Sequence, residues 1–236
     1  MCAVLGPLPE PAYTGRMGHW TNLDTPHGRI AAWQADPAGA PCGALVVVQE
    51  IFGVNAHIRS VAAGFALEGY AVLAPAYFDL VEPGVELGYD ADGVERGRAL
   101  KTAVGLERAN DITHAAALAL AASHHRIGTV GYCWGGTIAL LAALRIGLPS
   151  VSYYGAGNLP FLDETPRAPV MFHFGERDAS IPQDTVQAHR NALPGMEVFT
   201  YPVGHGFNCD LRADYEPSSA RLARERTLAF FTRNLA

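Results

Sequence analysis

The feature of this sequence that most restricts its fold is a series of short apolar runs that alternate with helical patterns. Residues 44–49 (ALVVVQ) are almost continuously apolar and β-branched, as expected for a strand buried on both faces. Further strands are predicted at residues 28–34, 70–74, 127–132, 151–154, 170–174 and 197–201. The alternation predicts an α/β protein with three layers, in which a mostly parallel central sheet carries helices on both faces.

The segments between these runs have the 3.6-residue periodicity of amphipathic helices. Helices are predicted at residues 58–68, 96–124, 136–145, 183–192 and 218–233. Residues 78–93 are rich in glycine, proline and acidic residues, and are therefore predicted to be a loop. We expect one domain over residues 1–236, with residues 1–27 as an N-terminal extension.

Composition excludes several classes of function. The formal net charge is −6 and Lys101 is the only lysine, which argues against nucleic acid or an anionic membrane as a partner. No apolar stretch approaches the ~20 residues of a membrane span, and the N-terminus lacks a basic region before an apolar one. A cytoplasmic protein without a cofactor, monomeric or a small homo-oligomer, is predicted.

The cysteine positions fit this prediction. Cys2, Cys42, Cys133 and Cys209 have the spacing of neither a disulfide framework nor a zinc motif. A reduced intracellular protein is therefore expected.

The functional sites of proteins with a parallel sheet lie beyond the carboxyl ends of the strands. The residues that follow each apolar run are therefore the candidate catalytic residues. Cys133 follows the run 127–132 inside the sequence GYCWGG. This is the G-x-S-x-G strand–turn–helix motif with cysteine in place of serine. The helix after the turn offers free N–H groups that favour a thiolate, although a buried structural cysteine is the alternative.

Two further polar residues follow later strands. Asp178 lies in GERD after the run 170–174, and His205 lies in GHGF after the run 197–201. The order Cys133, Asp178, His205 is that of nucleophile, acid and base in α/β-hydrolases. Asp163 and Asp184 are weaker candidates for the acid because neither directly follows an apolar strand.

Glu50 ends the most apolar strand, where a carboxylate is unusual. One interpretation is a buried structural carboxylate that pairs with an arginine such as Arg59. The other is an acceptor for the Cys133 proton. In that case the backbone N–H groups of Ile51 and Trp134 are the expected oxyanion donors.

The motifs QEIFGVN, GYCWGG, Tyr-Tyr-Gly at residues 153–155, GERD and GHGF occur in this order, and together they resemble the dienelactone hydrolase family. The resemblance extends from about residue 28 to the C-terminus. It implies an α/β-hydrolase fold with Cys133 as nucleophile, His205 as base and Asp178 as the residue that orients His205. It also implies that Glu50 accepts the thiol proton, and that Phe52 and Tyr154 line the substrate pocket.

The sequence departs from the family where the substrate carboxylate is bound. Members of the family use two arginines there, and the corresponding positions in this chain are Leu80 and Cys209. Arg212 is nearby in sequence but in a different register. We therefore expect this chain to share the catalytic chemistry of the family more closely than its preference for an anionic substrate.

These observations predict a hydrolase that cleaves small esters or lactones through a Cys-His-Asp triad and a thioester acyl-enzyme. One alternative is a non-catalytic protein of the same fold that binds a small ligand or a partner. Another is a redox-sensing thiol protein that uses Cys133 and Cys209, although no CxxC motif supports it.

Overall fold

The computed structural model describes residues 18–235, in which eight strands form one sheet. The strands are β1 (His19–Thr25), β2 (Gly28–Ala35), β3 (Gly43–Val48), β4 (Tyr70–Pro75), β5 (Ile127–Tyr132), β6 (Ser150–Tyr153), β7 (Val170–Gly175) and β8 (Glu197–Tyr201). Their order across the sheet is β1-β2-β4-β3-β5-β6-β7-β8. The pairs β1–β2 and β2–β4 are antiparallel, and all other neighbours are parallel. The mostly parallel sheet is as predicted.

The strands are joined by helices, as the alternating pattern predicts. The helices are α1 (Ala56–Leu67), α2 (Ala91–Val104), α3 (Leu106–Ala121), α4 (Trp134–Leu141), α5 (Gln183–Ala192) and α6 (Pro217–Asn234). Helix α4 continues as a π-helical turn over Ala142–Ile146. Within residues 18–235, no helix combines the length and the apolar character that a membrane crossing requires.

Strand β3 shows why the layers form. All six of its residues are buried, and alternate side chains point to opposite faces of the sheet. Leu45 and Val47 pack in one core cluster with residues of α1 and α6, whereas Val46 and Val48 pack in a second cluster with residues of α3. The apolar run therefore holds a helical layer on each face, which gives the three-layer α/β-hydrolase architecture.

The single long helix predicted over residues 96–124 is wrong. Two helices, α2 and α3, occupy this region and meet at Gly105, whose φ is 74°. This left-handed conformation is accessible to glycine and disfavoured for residues with a Cβ atom, so the chain turns there. The apolar periodicity continues through the break because both helices bury one face, and the periodicity alone does not reveal the turn.

The N-terminal boundary also needs correction. Residues 19–25, assigned above to an N-terminal extension, form β1 and pair with β2 along their whole length. Leu23 is the buried residue of β1, and its other side chains are exposed or half-buried. An edge strand with so few apolar residues has no clear alternating pattern, which explains why it is absent from the prediction.

The segment predicted as a loop over residues 78–93 is largely irregular, with a short 3₁₀ turn at Tyr77–Leu80 and the start of α2 at its end. It folds over Phe52, because the N–H of Leu87 donates to the carbonyl oxygen of Phe52 at 2.9 Å. Its acidic residues are largely paired, since Glu86 binds Arg59 and Asp90 caps α2.

Candidate active site

The turn between β5 and α4 places Cys133 at the carboxyl edge of the sheet. Its φ and ψ are 55° and −115°, a conformation that side-chain-bearing residues adopt rarely. The turn requires glycine around it, because a Cβ atom on Gly131 would lie 1.9 Å from the carbonyl oxygen of Gly135. Cys133 is half-buried and lines a surface depression.

The structure brings the three residues of the expected triad together. Nε2 of His205 lies 3.2 Å from Sγ of Cys133, and Nδ1 of His205 lies 2.6 Å from Oδ2 of Asp178. Asp178 is buried, and its second oxygen accepts a hydrogen bond from the N–H of Ser180 at 2.8 Å. The Asp178 carboxylate is thus fixed, and it fixes the imidazole ring in turn.

Opposing effects act on the protonation of His205. Burial lowers the pKa of His205, but the hydrogen bonds to Asp178 and Cys133, together with the negative charges of both partners, raise it to about 10. These contacts therefore favour the imidazolium, the form that His205 takes when it accepts a proton from Cys133. An imidazolium within hydrogen-bond distance of a cysteine sulfur favours the thiolate.

The competing aspartates lie elsewhere. Asp184 accepts a hydrogen bond from the N–H of Thr185 in the first turn of α5, and Asp163 lies exposed after β6. Neither contacts His205 among the described residues, which leaves Asp178 as the partner of the imidazole ring.

Glu50 is buried at the end of β3, with 1 % of its surface exposed. The hydroxyl of Tyr89 donates to its Oε2 at 3.2 Å, and Nη1 of Arg212 lies 3.8 Å from its Oε1. Arg59 is not this arginine, because it binds Glu86 and the carbonyl oxygen of Val54, but the expected pairing of Glu50 with an arginine is met by Arg212. Glu50 is therefore a carboxylate at the carboxyl edge of the sheet with an arginine close by.

The strand register accounts for the positions of Ile51 and Trp134. Val48 of β3 pairs with Gly131 of β5, and Ile51 and Trp134 each lie three residues beyond this pair. Trp134 is the first residue of α4, so its N–H has no partner inside the helix. Its indole stacks on Phe78 at 5.6 Å, beneath the turn.

The three residues expected in substrate binding have different positions. Tyr154 is fully buried with a φ of 38°, and its ring packs against the ring of His205 at 5.1 Å. Phe52 is buried beneath Tyr89 and Arg212. Leu80 packs against the second core cluster and is not among the residues that line the depression beside Cys133.

That depression contains residues that the sequence analysis missed. Its lining consists of Lys101, Thr102, Gly105, Leu106, Cys133, Trp134, Thr137, Ala156 and Gly157. Lys101 reaches it from the last turn of α2, so one cation lines the same depression as Cys133 and a second, Arg212, lies 3.8 Å from Glu50. This chain has no arginine at the two positions where the family has one. Lys101 and Arg212 nevertheless supply positive charge to the site. The only feature of the sequence that could have drawn attention to Lys101 is that it is the single lysine of the chain.

The fold and the connection of β5 to α4 through Cys133 define the chain as an α/β-hydrolase. A profile of the dienelactone hydrolase family matches residues 30–235, and the chain belongs to that family. It is accordingly a hydrolase, and the non-catalytic alternative is not supported.

Relatives agree with this assignment. A "putative carboxymethylenebutenolidase" of Synechocystis sp. is 35% identical over 88% of this chain and 93% of its own length. The carboxymethylenebutenolidase of Pseudomonas putida is 33% identical over 85% of this chain and 90% of its own length.

A solved structure shows the same architecture. The crystal structure of a "putative dienelactone hydrolase" from Klebsiella pneumoniae has a TM-score of 0.81 and 31% identity to this chain. The match covers 92% of this chain and 98% of the other.

Proposed function

We propose that this enzyme hydrolyses small esters or lactones through a Cys133–His205–Asp178 triad and a thioester acyl-enzyme. The observation that carries the proposal is the pair of short contacts from the His205 ring, to the Cys133 sulfur at 3.2 Å and to the Asp178 carboxylate at 2.6 Å. The name of the relatives, carboxymethylenebutenolidase, points to lactones.

In the first half of the reaction, the Cys133 sulfur attacks the ester or lactone carbonyl carbon. The thiol proton passes to His205 or to Glu50, and the electron pair of the carbonyl double bond moves to its oxygen. The N–H groups of Ile51 and Trp134 bind this oxyanion, and one such donor typically contributes a factor of about 10²–10³ in rate. As the carbon–oxygen bond to the leaving group breaks, the residue that accepted the thiol proton returns it to the leaving oxygen, which leaves a thioester on Cys133 and a neutral imidazole at His205.

In the second half, His205 removes a proton from water, and the resulting hydroxide equivalent attacks the thioester carbonyl. The carbon–sulfur bond breaks, and the sulfur leaves as a thiolate beside the imidazolium. Asp178 holds the imidazole ring and compensates its positive charge in both halves. A thiolate is a better leaving group than an alkoxide, so activated enol-type esters are suitable substrates and amides are poor ones.

Alkylation tests the proposal. Iodoacetamide is added until mass spectrometry of peptides shows complete modification of Cys133, and turnover of an activated aryl ester and of a panel of lactones is measured. We expect turnover to disappear in step with the modification. A Cys42→Ala variant, which keeps Cys133, serves as the control and is expected to respond identically. Full turnover by protein alkylated at Cys133 would refute the thioester route.

A further inference from the structure

A buried cluster of three side chains includes Glu50, the proposed proton acceptor. Glu50, His57 and Cys209 are all buried, and each offers an atom able to bind a metal ion. These three atoms lie within 4.8 Å of one another. They come from three separate parts of the chain, namely the end of β3, the first turn of α1 and the segment after β8.

Two polar atoms of this cluster lack hydrogen-bond partners. Among residues 18–235, Oε1 of Glu50 and Nε2 of His57 are buried side-chain atoms for which no hydrogen bond is formed. An unsatisfied buried polar atom costs about 1–3 kcal/mol. Two such atoms in one cluster point to a ligand that satisfies both, and a cation suits a carboxylate oxygen and an imidazole nitrogen.

An acidic side chain, Asp210, lies beside Nδ1 of His57. Nδ1 of His57 lies 3.4 Å from Oδ1 of Asp210. With the ring proton on Nδ1 and directed at this carboxylate, Nε2 keeps its lone pair. A carboxylate that binds the distal nitrogen in this way accompanies histidine ligands of zinc sites in general.

Two polar groups, Tyr89 and Arg212, lie beside the carboxylate of Glu50. The hydroxyl of Tyr89 donates to Oε2 of Glu50, which leaves Oε1 as the oxygen without a hydrogen bond. Arg212 lies 3.8 Å from Oε1, beyond hydrogen-bond distance. Its guanidinium stacks over the rings of Phe52 and Tyr89, which support it independently of Glu50.

We propose that Glu50, His57 and Cys209 bind a thiophilic divalent cation, with Zn²⁺ as the best match. Thiolate, imidazole and carboxylate together are ligands that zinc accepts, whereas magnesium and calcium prefer oxygen ligands alone. Bonds of about 2.0–2.3 Å place tetrahedral ligand atoms about 3.3–3.8 Å apart, so the three side chains close around the ion by small rotations. Binding converts the Cys209 thiol to a thiolate and releases its proton to solvent.

The site is inhibitory, a consequence that rests on the proposed role of Glu50. A carboxylate bound to Zn²⁺ no longer accepts the proton of Cys133. The cation therefore lowers the rate of acylation, and the three-residue site makes the enzyme sensitive to free zinc. Metal binding itself does not depend on that role, so an experiment can contradict the metal site without contradicting the role of Glu50 in catalysis, and the reverse.

Binding is tested with metal-free full-length protein, Co²⁺ as a spectroscopic probe and Zn²⁺ in competition with a chromophoric chelator. We expect one ion per chain and a thiolate-to-Co²⁺ charge-transfer band. Cys209→Ala abolishes the band and weakens Zn²⁺ binding at least about 100-fold. Asp210→Asn, a change at an exposed position that spares the ligands, weakens binding roughly 10- to 100-fold.

Matched cysteine variants separate this site from the Cys133–His205 pair, which also offers a sulfur and an imidazole. Cys133→Ala and Cys42→Ala are expected to keep the charge-transfer band and the Zn²⁺ affinity. Loss of the band in Cys133→Ala, unchanged affinity in Cys209→Ala, or no stoichiometric binding by the wild type would each overturn the proposed site.

Inhibition is measured in parallel, with each variant compared with itself in the absence of metal. We expect Zn²⁺ to inhibit aryl ester turnover by the wild type and by Cys42→Ala at the concentration that fills the site. The inhibition curve of Cys209→Ala shifts to higher zinc in proportion to its lower affinity. Inhibition that is the same in Cys209→Ala would place the inhibitory metal elsewhere. An enzyme inactive without metal would instead contradict the proposed ester hydrolysis.

Discussion

The guanidinium of Arg212 lies 3.8 Å from the buried carboxylate of Glu50, in a chain that has no arginine at either of the two family positions considered above. Its side chain is 22% exposed, so a substrate can reach it. Lys101, the only lysine, lines the depression beside Cys133. The site therefore offers positive charge from positions that the family pattern does not indicate.

Replacing Arg212 tests whether this charge selects substrates. Charge-assisted hydrogen bonds contribute about 1.5–3 kcal/mol, which corresponds to about 10- to 150-fold in kcat/KM. We expect Arg212→Gln to lower kcat/KM by this factor for carboxylated lactones, and by much less for neutral ones. Arg221→Gln, at an exposed position on α6, is the control. Equal losses of kcat/KM for both substrate types would show that Arg212 does not distinguish substrates by their charge.

Replacing Glu50 tests its proposed role as a proton acceptor. Glu50→Gln keeps the shape of the side chain and an oxygen for the Tyr89 hydroxyl, but removes the charge. We expect the acylation burst with an activated aryl ester to slow by about 10²–10⁴-fold, the usual contribution of a general base, while circular dichroism shows the native fold. Glu82→Gln, which alters an exposed carboxylate, keeps the wild-type burst. An unchanged burst in Glu50→Gln would exclude Glu50 from proton transfer.

The pH dependence of alkylation tests the charge of His205. The pKa of His205 is raised to about 10, so its positive charge persists from acidic pH up to that value and is lost above it. Below about pH 10 this charge stabilises the negative charge that develops on the sulfur of Cys133. In His205→Ala we expect an ordinary thiol with a pKa of about 8.5, only about 1% ionised at pH 6.5.

The expected result is an iodoacetamide reaction of Cys133 at about pH 6.5 that is slower in His205→Ala than in the wild type, by a factor of up to about 100. Asp178→Asn is expected to fall between the two, because it removes the carboxylate that supports the imidazolium. The rate is measured by mass spectrometry of the Cys133 peptide. Equal rates in the wild type and in His205→Ala would mean that the imidazole does not activate the sulfur.

The buried His173 predicts how stability depends on pH. Burial, with a further contribution from the charge of Arg226, lowers the pKa of His173 to about 3. The unfolded chain binds this proton at an ordinary pKa of about 6.5, so the stabilisation is complete above about pH 6.5 and is lost as pH falls towards 3. At about pH 4 the loss amounts to about 3 kcal/mol.

We therefore expect His173→Gln to remove this part of the acid sensitivity. The ring of His173 contacts the hydroxyls of Tyr201 and Thr227, at 2.8 and 3.1 Å, so the variant is less stable than the wild type at neutral pH. Urea unfolding at several pH values gives the slope of stability against pH. The slope between about pH 6.5 and 4 is shallower in His173→Gln, whereas exposed His125→Gln keeps the wild-type slope. Parallel slopes would contradict the pKa of His173.

Much of the fold could be predicted because buried strands carry their signal locally. The run 127–132 and the helix 183–192 have the predicted bounds in the structure. The positions of Cys133, Asp178 and His205 after their strands could also be predicted, because parallel strands bring their carboxyl ends to one edge of the sheet. That edge, and the order of the three residues in the chain, are properties of the sequence.

The tertiary structure decided what depends on contacts between distant segments. The ion-pair partner of Glu50 is Arg212, which is far away in sequence, and Lys101 lines the same depression as Cys133 only because α2 packs beside the turn after β5. Strand β1 depends on pairing with β2, since its own side chains are mostly polar. Local patterns report which side chains are buried, but charge pairing is set by distances across the sheet edge, which are fixed only when the helices and loops have packed.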